Sequence, residues 1–308
     1  MKLKTLIIAI ILSVFYAGAQ NKTDNSLFLK KDKNNYLTEV ESKSGNMFRK
    51  IGHHGPAIEN QWLGFRIYFD KKTAIDIYSK KKPGLELREK KWYPSKKEQL
   101  EGWGADYYKV GKSVGLGGIK LWDGEKIVPL HPVSKRTAKV KTEGDSSIME
   151  MLSEGVNYKG GKVDILTRVT VFSDKREAKV EAFSVNGDMV QFATGINYFK
   201  NLDVNKQDYF IATWGIHPED VAAEKVKIAA AIIFNKNDFE KQVDDGYQHL
   251  LISKPTKSIE TWITSANARE QEINSFEKFI KTIERRFKKF TQIFQRKSTE
   301  SALSACNS

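Results

Sequence analysis

The fold is decided by the stretch Val163-Asp-Ile-Leu-Thr-Arg-Val-Thr-Val-Phe172, in which apolar residues at odd positions alternate with a mixed set at even positions. An alternation of period two predicts a β-strand with one buried face and one wetter face. Residues 63–70 repeat the pattern, because Leu63, Phe65, Ile67 and Phe69 alternate with smaller or polar neighbours. We therefore predict a half-buried strand at each place.

Further short strand candidates surround these two, separated by turns rich in Gly, Asn and Asp. Many short strands without a strand–helix–strand rhythm predict an all-β fold, specifically an antiparallel β-sandwich. The pair Asn186-Gly187 adds the sequence signal of a β-hairpin. The other predicted strands are 75–78, 119–122, 126–133, 178–185, 191–198, 209–214, 228–234, 249–252 and 259–263.

The spacing of apolar residues changes near the end of the chain. Apolar residues recur at threes and fours between about residues 270 and 294, which predicts an amphipathic C-terminal helix. Its other face is basic, and a helix lying on a membrane surface has a similar pattern. We favour packing against the sandwich, since that is the commoner use of such a helix. The apolar positions are Ile273, Phe276, Phe279, Ile280, Ile283, Phe287 and Phe290.

The first residues predict export. Lys2 and Lys4 precede an apolar run at 6–16, and small residues follow at 17–19. This is the pattern of a cleaved signal peptide at 1–19. The run is shorter than the ~20 residues that span a bilayer, so we expect no stable membrane anchor. The expected mature protein is periplasmic or extracellular, with a β-sandwich at 20–268, the helix at 269–295 and a disordered tail at 296–308.

The charge balance narrows the partners. The formal net charge is +13, and export argues against nucleic acid as its cause. An acidic oligosaccharide or polysaccharide is the better match for an exported basic protein. Solubility alone is the competing interpretation, because solvated runs such as Lys80-Lys81-Lys82 supply much of the excess. With Cys306 as the only cysteine, no intrachain disulfide can form.

Familiar cofactor motifs fail. Gly111-Lys112-Ser113 resembles the end of a phosphate-binding loop, but Asp106 occupies the position of the required glycine. The chain contains no Cys/His pairs with metal-ligand spacing. We therefore predict no cofactor and no metal site.

Three clusters combine glycine with titratable or aromatic groups, and loops of this kind carry sites on rigid sheets. In the first, His53 and His54 are candidate general bases, and Glu59, Trp62 and Arg66 are candidate substrate contacts. A buried, hydrogen-bonded structural histidine is the alternative for either one.

The second cluster lies at residues 101–111. Tyr107 and Tyr108 are candidate proton donors, and Trp103 and Lys109 are candidate contacts for a sugar ring and an anion. Ordinary core packing is the alternative for each aromatic residue.

The third cluster offers His217 as an acid or base, with a capping role as the alternative, and Trp214 as a candidate substrate contact. Arg168, within a predicted strand, holds a substrate carboxylate if the sheet is concave there and is merely solvated if it is convex. We predict that the loops at 53–59 and 103–109 meet His217 in one cleft.

Together these stretches resemble domain of unknown function 4861, a family of secreted bacterial proteins from polysaccharide-utilisation loci. The resemblance covers about residues 36–279 and is carried by Gly55-Pro-Ala-Ile-Glu-Asn-Gln-Trp-Leu-Gly-Phe-Arg-Ile-Tyr-Phe-Asp70, by Trp103-Gly-Ala-Asp-Tyr-Tyr-Lys-Val-Gly-Lys-Ser-Val-Gly-Leu-Gly-Gly118 and by Leu121-Trp-Asp-Gly124. It implies action on acidic polysaccharides such as ulvan and pectin, and a lyase that dehydrates a terminal uronate of ulvan oligosaccharides. It implies no particular catalytic residue.

Such a dehydration needs a cation beside the carboxylate, a base for the C5 proton and an acid for the 4-hydroxyl. The candidates above supply all three types. Two alternatives stay open: a non-catalytic carbohydrate-binding protein, and a mutarotase-like epimerase, which also uses a β-sandwich with His and Glu. The sequence predicts neither the oligomeric state nor the exact substrate.

Overall fold

The computed structural model describes residues 22–218 and 222–287. The predicted signal peptide at 1–19 and the predicted tail at 296–308 lie outside these ranges. Within them, no helix is both long enough and apolar enough to cross a membrane.

Strands dominate the chain. In order they are β1 (Thr23–Ser26), β2 (Phe28–Leu29), β3 (Asp32–Tyr36), β4 (Glu39–Ser42), β5 (Ala57–Asn60), β6 (Leu63–Ile67), β7 (Ile75–Ser79), β8 (Lys120–Trp122), β9 (Ile127–Val128), β10 (Lys135–Glu143), β11 (Ser146–Tyr158), β12 (Gly161–Phe172), β13 (Ala178–Ser184), β14 (Phe192–Asn197), β15 (Asp203–Gln207), β16 (Phe210–Gly215), β17 (Ile228–Ile233), β18 (Phe239–Asp244), β19 (Gln248–Ser253) and β20 (Ser258–Asn267). Two short helices, α1 (Leu87–Lys90) and α2 (Lys96–Glu101), follow β7, and α3 covers 276–287.

The strands form antiparallel sheets. The largest has nine strands in the order β15-β16-β17-β20-β13-β12-β11-β10-β4. A five-stranded sheet has the order β18-β19-β14-β8-β9, and a four-stranded sheet has the order β1-β5-β6-β7. One continuous apolar core joins residues from all three. The predicted all-β, antiparallel architecture is confirmed.

The burial patterns of the two diagnostic stretches differ. β12 alternates between buried and half-buried residues over most of its length, as its sequence predicts. β6 is buried at every position, so the prediction of one wetter face is wrong there. Its small and polar residues are covered as well: Gly64 packs beside Tyr78 and Leu87, and the Arg66 side chain lies in a polar cluster.

The Asn186-Gly187 signal marks a turn but no hairpin. Gly187 has a φ of 82° and its N–H donates to the carbonyl of Ser184. The flanking strands β13 and β14 belong to different sheets, so the predicted strand pairing is wrong. The predicted strands also did not include β10 and β11, although β11 alternates between buried and half-buried residues over most of its length.

The predicted C-terminal helix is confirmed, although it begins later than expected. α3 starts at residue 276 rather than 270, because Glu270 instead accepts hydrogen bonds from the Asn267 backbone and pairs with buried Arg176. Phe279 and Ile283 pack on Phe210 of the nine-stranded sheet, as predicted. The predicted continuation to 294 lies outside the described residues.

One irregular segment positions the candidate site. Residues 102–118 run alongside β7, where Ser79 and Ala105 exchange backbone hydrogen bonds of 3.0 and 2.9 Å. The Ile75 N–H donates to Val114 at the other end of the strand. This attachment brings the second sequence cluster against β6 and β7.

Candidate functional site

The centre of the site is the guanidinium of Arg66, on β6. Its Nη2 lies 2.5 Å from a carboxylate oxygen of Asp76 on β7 and 3.0 Å from one of Asp106. Arg66 and Asp76 are almost fully buried. Breaking a buried pair by removing one partner costs about 3–5 kcal/mol, so this triad fixes the local structure. We call these three residues, with Tyr68 and Tyr93, the Arg66 cluster.

Both tyrosines of the Arg66 cluster bind its guanidinium through their phenol oxygens. Tyr93 accepts from Nη1 at 2.7 Å, and Tyr68 accepts from Nη2 at 3.1 Å. Tyr68 donates its own proton to Asp76, whereas the Tyr93 proton has no acceptor among the described residues. Burial raises the pKa of the Tyr93 phenol even though Arg66 opposes the change. Tyr93 is therefore a neutral phenol, 41% exposed, with its proton available.

The turn at His53 and His54 is held in an unusual conformation. Both residues have positive φ, 53° and 62°, which is uncommon for residues other than glycine and is found more often at functional sites. The next residue must be glycine for a different reason: a Cβ at Gly55 would lie 1.8 Å from the carbonyl oxygen of Ile67. The close approach of the turn to β6 therefore fixes where both histidines point.

His53 has the surroundings of the structural alternative. Its ring is buried, its Nε2 lies 2.7 Å from the Ser26 hydroxyl, and its carbonyl accepts from Nη1 of Arg66. Burial, with the nearby Arg66 charge, lowers the pKa of His53 to about 3. Within the site it supports the guanidinium through its backbone.

His54 is half-buried and placed to act as a base. Its Nδ1 lies 2.7 Å from the carbonyl oxygen of Phe48. A carbonyl only accepts, so Nδ1 carries the proton and Nε2 keeps the lone pair. The Phe48 ring stacks on the imidazole at 3.8 Å, and the Tyr93 ring lies edge-on at 6.0 Å. Burial lowers the pKa of His54, so the ring is neutral near pH 7.

His217 forms a second, smaller group with Tyr108. The Lys109 N–H donates to Nδ1 of His217 at 3.1 Å, so the ring proton sits on Nε2. That buried Nε2 and the buried Tyr108 hydroxyl have no hydrogen-bond partner in the described part of the chain. Burial lowers the pKa of His217 to about 4. The two rings lie 4.6 Å apart.

A cavity of about 20 Å³ borders His217, with Asp106, Tyr107 and Lys109 in its lining. It holds no more than one or two waters. Asp106 belongs to this lining and to the Arg66 cluster, so the two groups share a wall.

Tyr107 connects the small cavity to a larger one. Its phenol oxygen accepts a 2.8 Å hydrogen bond from Nη1 of Arg269. Arg269 lines a cavity of about 410 Å³, together with Trp62 and the Lys81–Lys82 turn. This larger cavity is therefore linked to the Arg66 cluster through Arg269, Tyr107 and the adjacent Asp106, and His54 and Tyr93 do not line it.

The structure gathers some of the sequence-predicted site residues and separates others. Asp106, Tyr107, Lys109 and His217 line one cavity, and Arg66 is joined to it through Asp106, but no residue of the 53–59 loop is in its lining. Glu59 is placed elsewhere: it is buried, pairs with Lys80 and accepts from the backbone N–H groups of Glu86 and Leu87.

Three other candidates lie away from the cluster. Arg168 is on the outer face of the nine-stranded sheet, paired with Glu150 at 2.7 Å. Trp103 packs under Lys90, whose Nζ is 3.8 Å from the ring centre. Trp214 stacks on Phe276 of α3. None of the three contacts the Arg66 cluster.

The model of the family described as Domain of unknown function (DUF4861) matches residues 13–295. The chain belongs to the DUF4861 family. No curated protein sequence matches it.

Among solved structures, this DUF4861 protein is similar to one from Klebsiella pneumoniae subsp. pneumoniae MGH 78578, described as a candidate aldose 1-epimerase. The TM-score is 0.35 and the sequence identity 11%, over 80% of this chain and 91% of that one.

Sequence reasoning missed four polar residues that build the site of this DUF4861 protein. Asp76, Tyr93, Asp106 and Arg269 each contact another member of the site directly. Asp76 could have been found from the sequence, because a carboxylate inside an apolar strand predicts a buried polar or charged partner. The other three lie in irregular segments whose spatial neighbours no periodicity reveals.

No group of three or more His, Cys, Asp or Glu side chains in the described ranges is arranged to hold a metal ion.

Proposed function

We propose that this protein is an exported carbon–oxygen lyase that removes water from a uronate at the end of an acidic oligosaccharide. His54 is the base and Tyr93 the acid. One observation carries the proposal: a neutral imidazole with its lone pair on Nε2 lies beside a half-exposed phenol whose proton has no acceptor among the described residues.

The two groups match the two proton transfers of a β-elimination. Nε2 of His54 removes the C5 proton, and the electrons of that bond form the C4–C5 double bond. The C4–O bond breaks as Tyr93 gives its proton to the departing hydroxyl, which leaves as water. Proton return from His54 to the Tyr93 phenolate, through water, restores both residues.

The substrate carboxylate must be neutralised for the C5 proton to be acidic. Arg66 was a sequence candidate for this role, but each of its N–H groups already has a protein acceptor. Lys30 is the better candidate. The charge of Arg66 contributes to lowering the pKa of Lys30, and the charge of Lys30 contributes to lowering that of His54. The Lys30 ammonium is thus within electrostatic range of the proposed base.

Arg66 then acts as a positioning residue. It holds the Tyr93 oxygen, and its charge stabilises the phenolate that forms when Tyr93 gives up its proton. The formal net charge of +13 favours an anionic substrate at longer range.

The test uses oligosaccharides made from ulvan by partial acid hydrolysis, which leaves their non-reducing uronates saturated. We expect the full chain to produce the ultraviolet absorbance of an unsaturated uronate and a product lighter by one water. Absence of both changes, with binding of the same oligosaccharides retained, would favour the carbohydrate-binding alternative, which the Trp62-lined cavity supports. Anomer interconversion without mass change would favour the epimerase.

A further inference from the structure

The large cavity beside Trp62 plays no part in the proposed elimination. Its volume of about 410 Å³ falls within the ~300–1,000 Å³ typical of ligand sites. It opens at the turn that follows β7, between that turn, the end of α2 and residues 269–272.

Buried ion pairs form the floor of this cavity. Lys80 pairs with Glu59 and also donates to the carbonyl oxygens of Asn60 and Gly84. Arg176 pairs with Glu270. Because each of these charges is matched inside the protein, the floor is rigid and contributes almost no net charge.

The charged residues at the rim of the cavity are less fully paired than those of the floor. Lys81 and Lys82 are exposed and form no ion pair with any residue in 22–218 or 222–287. The acidic Glu101 and Glu272 also line the opening, although Glu101 lies 3.8 Å from Lys97 on α2. The mouth therefore carries two lysines that form no ion pair within the described ranges, together with two glutamates.

Trp62 supplies a half-buried indole in the same lining. An indole packs against the C–H face of a sugar ring, and an ammonium binds sulfate or carboxylate oxygens by charge-assisted hydrogen bonds. The combination of one indole and two lysine ammonium groups suits a sugar that carries a negative charge.

The cavity is physically joined to the Arg66 cluster. Arg269 in its wall binds the Tyr107 hydroxyl, and the adjacent residue Asp106 pairs with Arg66. The contacts Arg269–Tyr107 and Asp106–Arg66 therefore link the cavity wall to the cluster that holds Tyr93, although neither His54 nor Tyr93 lines the cavity.

We propose that this cavity is a subsite for an anionic pyranose, a sulfated or uronate unit of the same oligosaccharide whose end reacts at His54. The inference rests on the proposed function for the identity of the reacting end, while the binding itself is independent of turnover. It makes the substrate an oligosaccharide rather than a free uronic acid.

The test is calorimetric titration of the full chain with ulvan tetrasaccharide, desulfated ulvan tetrasaccharide and free glucuronate. In the double variant Lys81→Gln/Lys82→Gln we expect about tenfold weaker binding of the tetrasaccharide and unchanged binding of glucuronate. A loss confined to the sulfated probe identifies a sulfate contact, and an equal loss for both tetrasaccharides identifies a carboxylate contact.

The matched control is Lys162→Gln/Lys257→Gln, which removes the same charge from exposed positions at the start of β12 and just before β20. Trp62→Ala serves as a second variant and is expected to weaken both tetrasaccharides, with thermal melting checking its fold. Equal tetrasaccharide binding by the wild type and the Lys81/Lys82 variant would overturn the subsite, as would an equal loss in the control. Turnover is measured in parallel so that the two proposals can fail separately. If the protein catalyses the elimination and the Lys81/Lys82 variant binds as well as the wild type, only the subsite is refuted. If binding depends on the two lysines and no elimination occurs, only the lyase is refuted.

Discussion

Nη1 of Arg66 donates a 2.7 Å hydrogen bond to the phenol oxygen of Tyr93, and the same nitrogen donates to the carbonyl of His53. One guanidinium thus fixes the proposed acid and the turn that carries the proposed base. The relative position of His54 and Tyr93 therefore depends on a charge that is buried with its counterions.

Removing Asp76 should destabilise the whole domain. In Asp76→Ala the buried guanidinium keeps Asp106 as its only counterion among the described residues, so we expect the free energy of unfolding to fall by about 3–5 kcal/mol. Urea denaturation measures it. Glu150→Ala is the control, since it breaks the partly exposed pair with Arg168 and should cost about 0–1 kcal/mol. Equal losses in the two variants would contradict the structural role of the triad.

Substitution of His54 should affect turnover, whereas substitution of His53 should affect stability. Asn tolerates positive φ, so His54→Asn keeps the turn and should lower turnover about a hundredfold with little change in melting temperature. His53→Asn removes a buried ring and should instead lower the melting temperature. Product formation and thermal melting are measured on both. If His54→Asn retains full activity, histidine base catalysis at this position is wrong.

Tyr93→Phe tests the acid with little structural disturbance. The variant loses one hydroxyl from a half-exposed ring, while Nη1 of Arg66 keeps the His53 carbonyl as acceptor. We expect turnover to fall about a hundredfold and binding of the oligosaccharide to persist. Tyr36→Phe, which loses an exposed hydrogen bond to the Arg88 carbonyl, is the matched control. A similar effect from both changes would remove the case for Tyr93 as the acid.

Stability should fall with acid through the buried histidines. The pKa of His53 is lowered from 6.5 to about 3 and that of His217 to about 4. The unfolded chain therefore takes up protons first as the pH falls. Each histidine contributes stability that is present above about pH 6.5 and is lost between that value and its folded pKa, at up to about 1.4 kcal/mol per pH unit.

Urea denaturation at pH 7, 6, 5 and 4 measures this loss. His53→Asn should make the decline with acid shallower, even though the variant is less stable at pH 7. An unchanged slope in that variant would show that His53 is protonated in the folded state.

The fold was more predictable than the site. The alternation in β12 and the three-and-four spacing in α3 are local patterns, and each predicts its element directly. Burial of both faces of β6 is not local, since it depends on segment 102–118 lying against the neighbouring strand. The site could not be predicted from the sequence for the same reason, because it too depends on contacts between distant segments. The sequence pointed to the His53–His54 turn and to Tyr107, but nothing in the local pattern places Tyr93 and Asp106 on one guanidinium 27 and 40 residues away.

The left-handed backbone at His54, with its φ of 62°, makes two demands on one position. Geometry favours Gly, Asn and Asp there, whereas proton abstraction favours an imidazole. A saturation library at position 54 would separate those demands. Gly, Asn and Asp variants should fold without activity, whereas variants with side chains that do not tolerate positive φ should neither fold nor react. Adaptation of this protein to a new substrate would therefore proceed more readily at the cavity rim than at the turn, where few side chains satisfy the backbone.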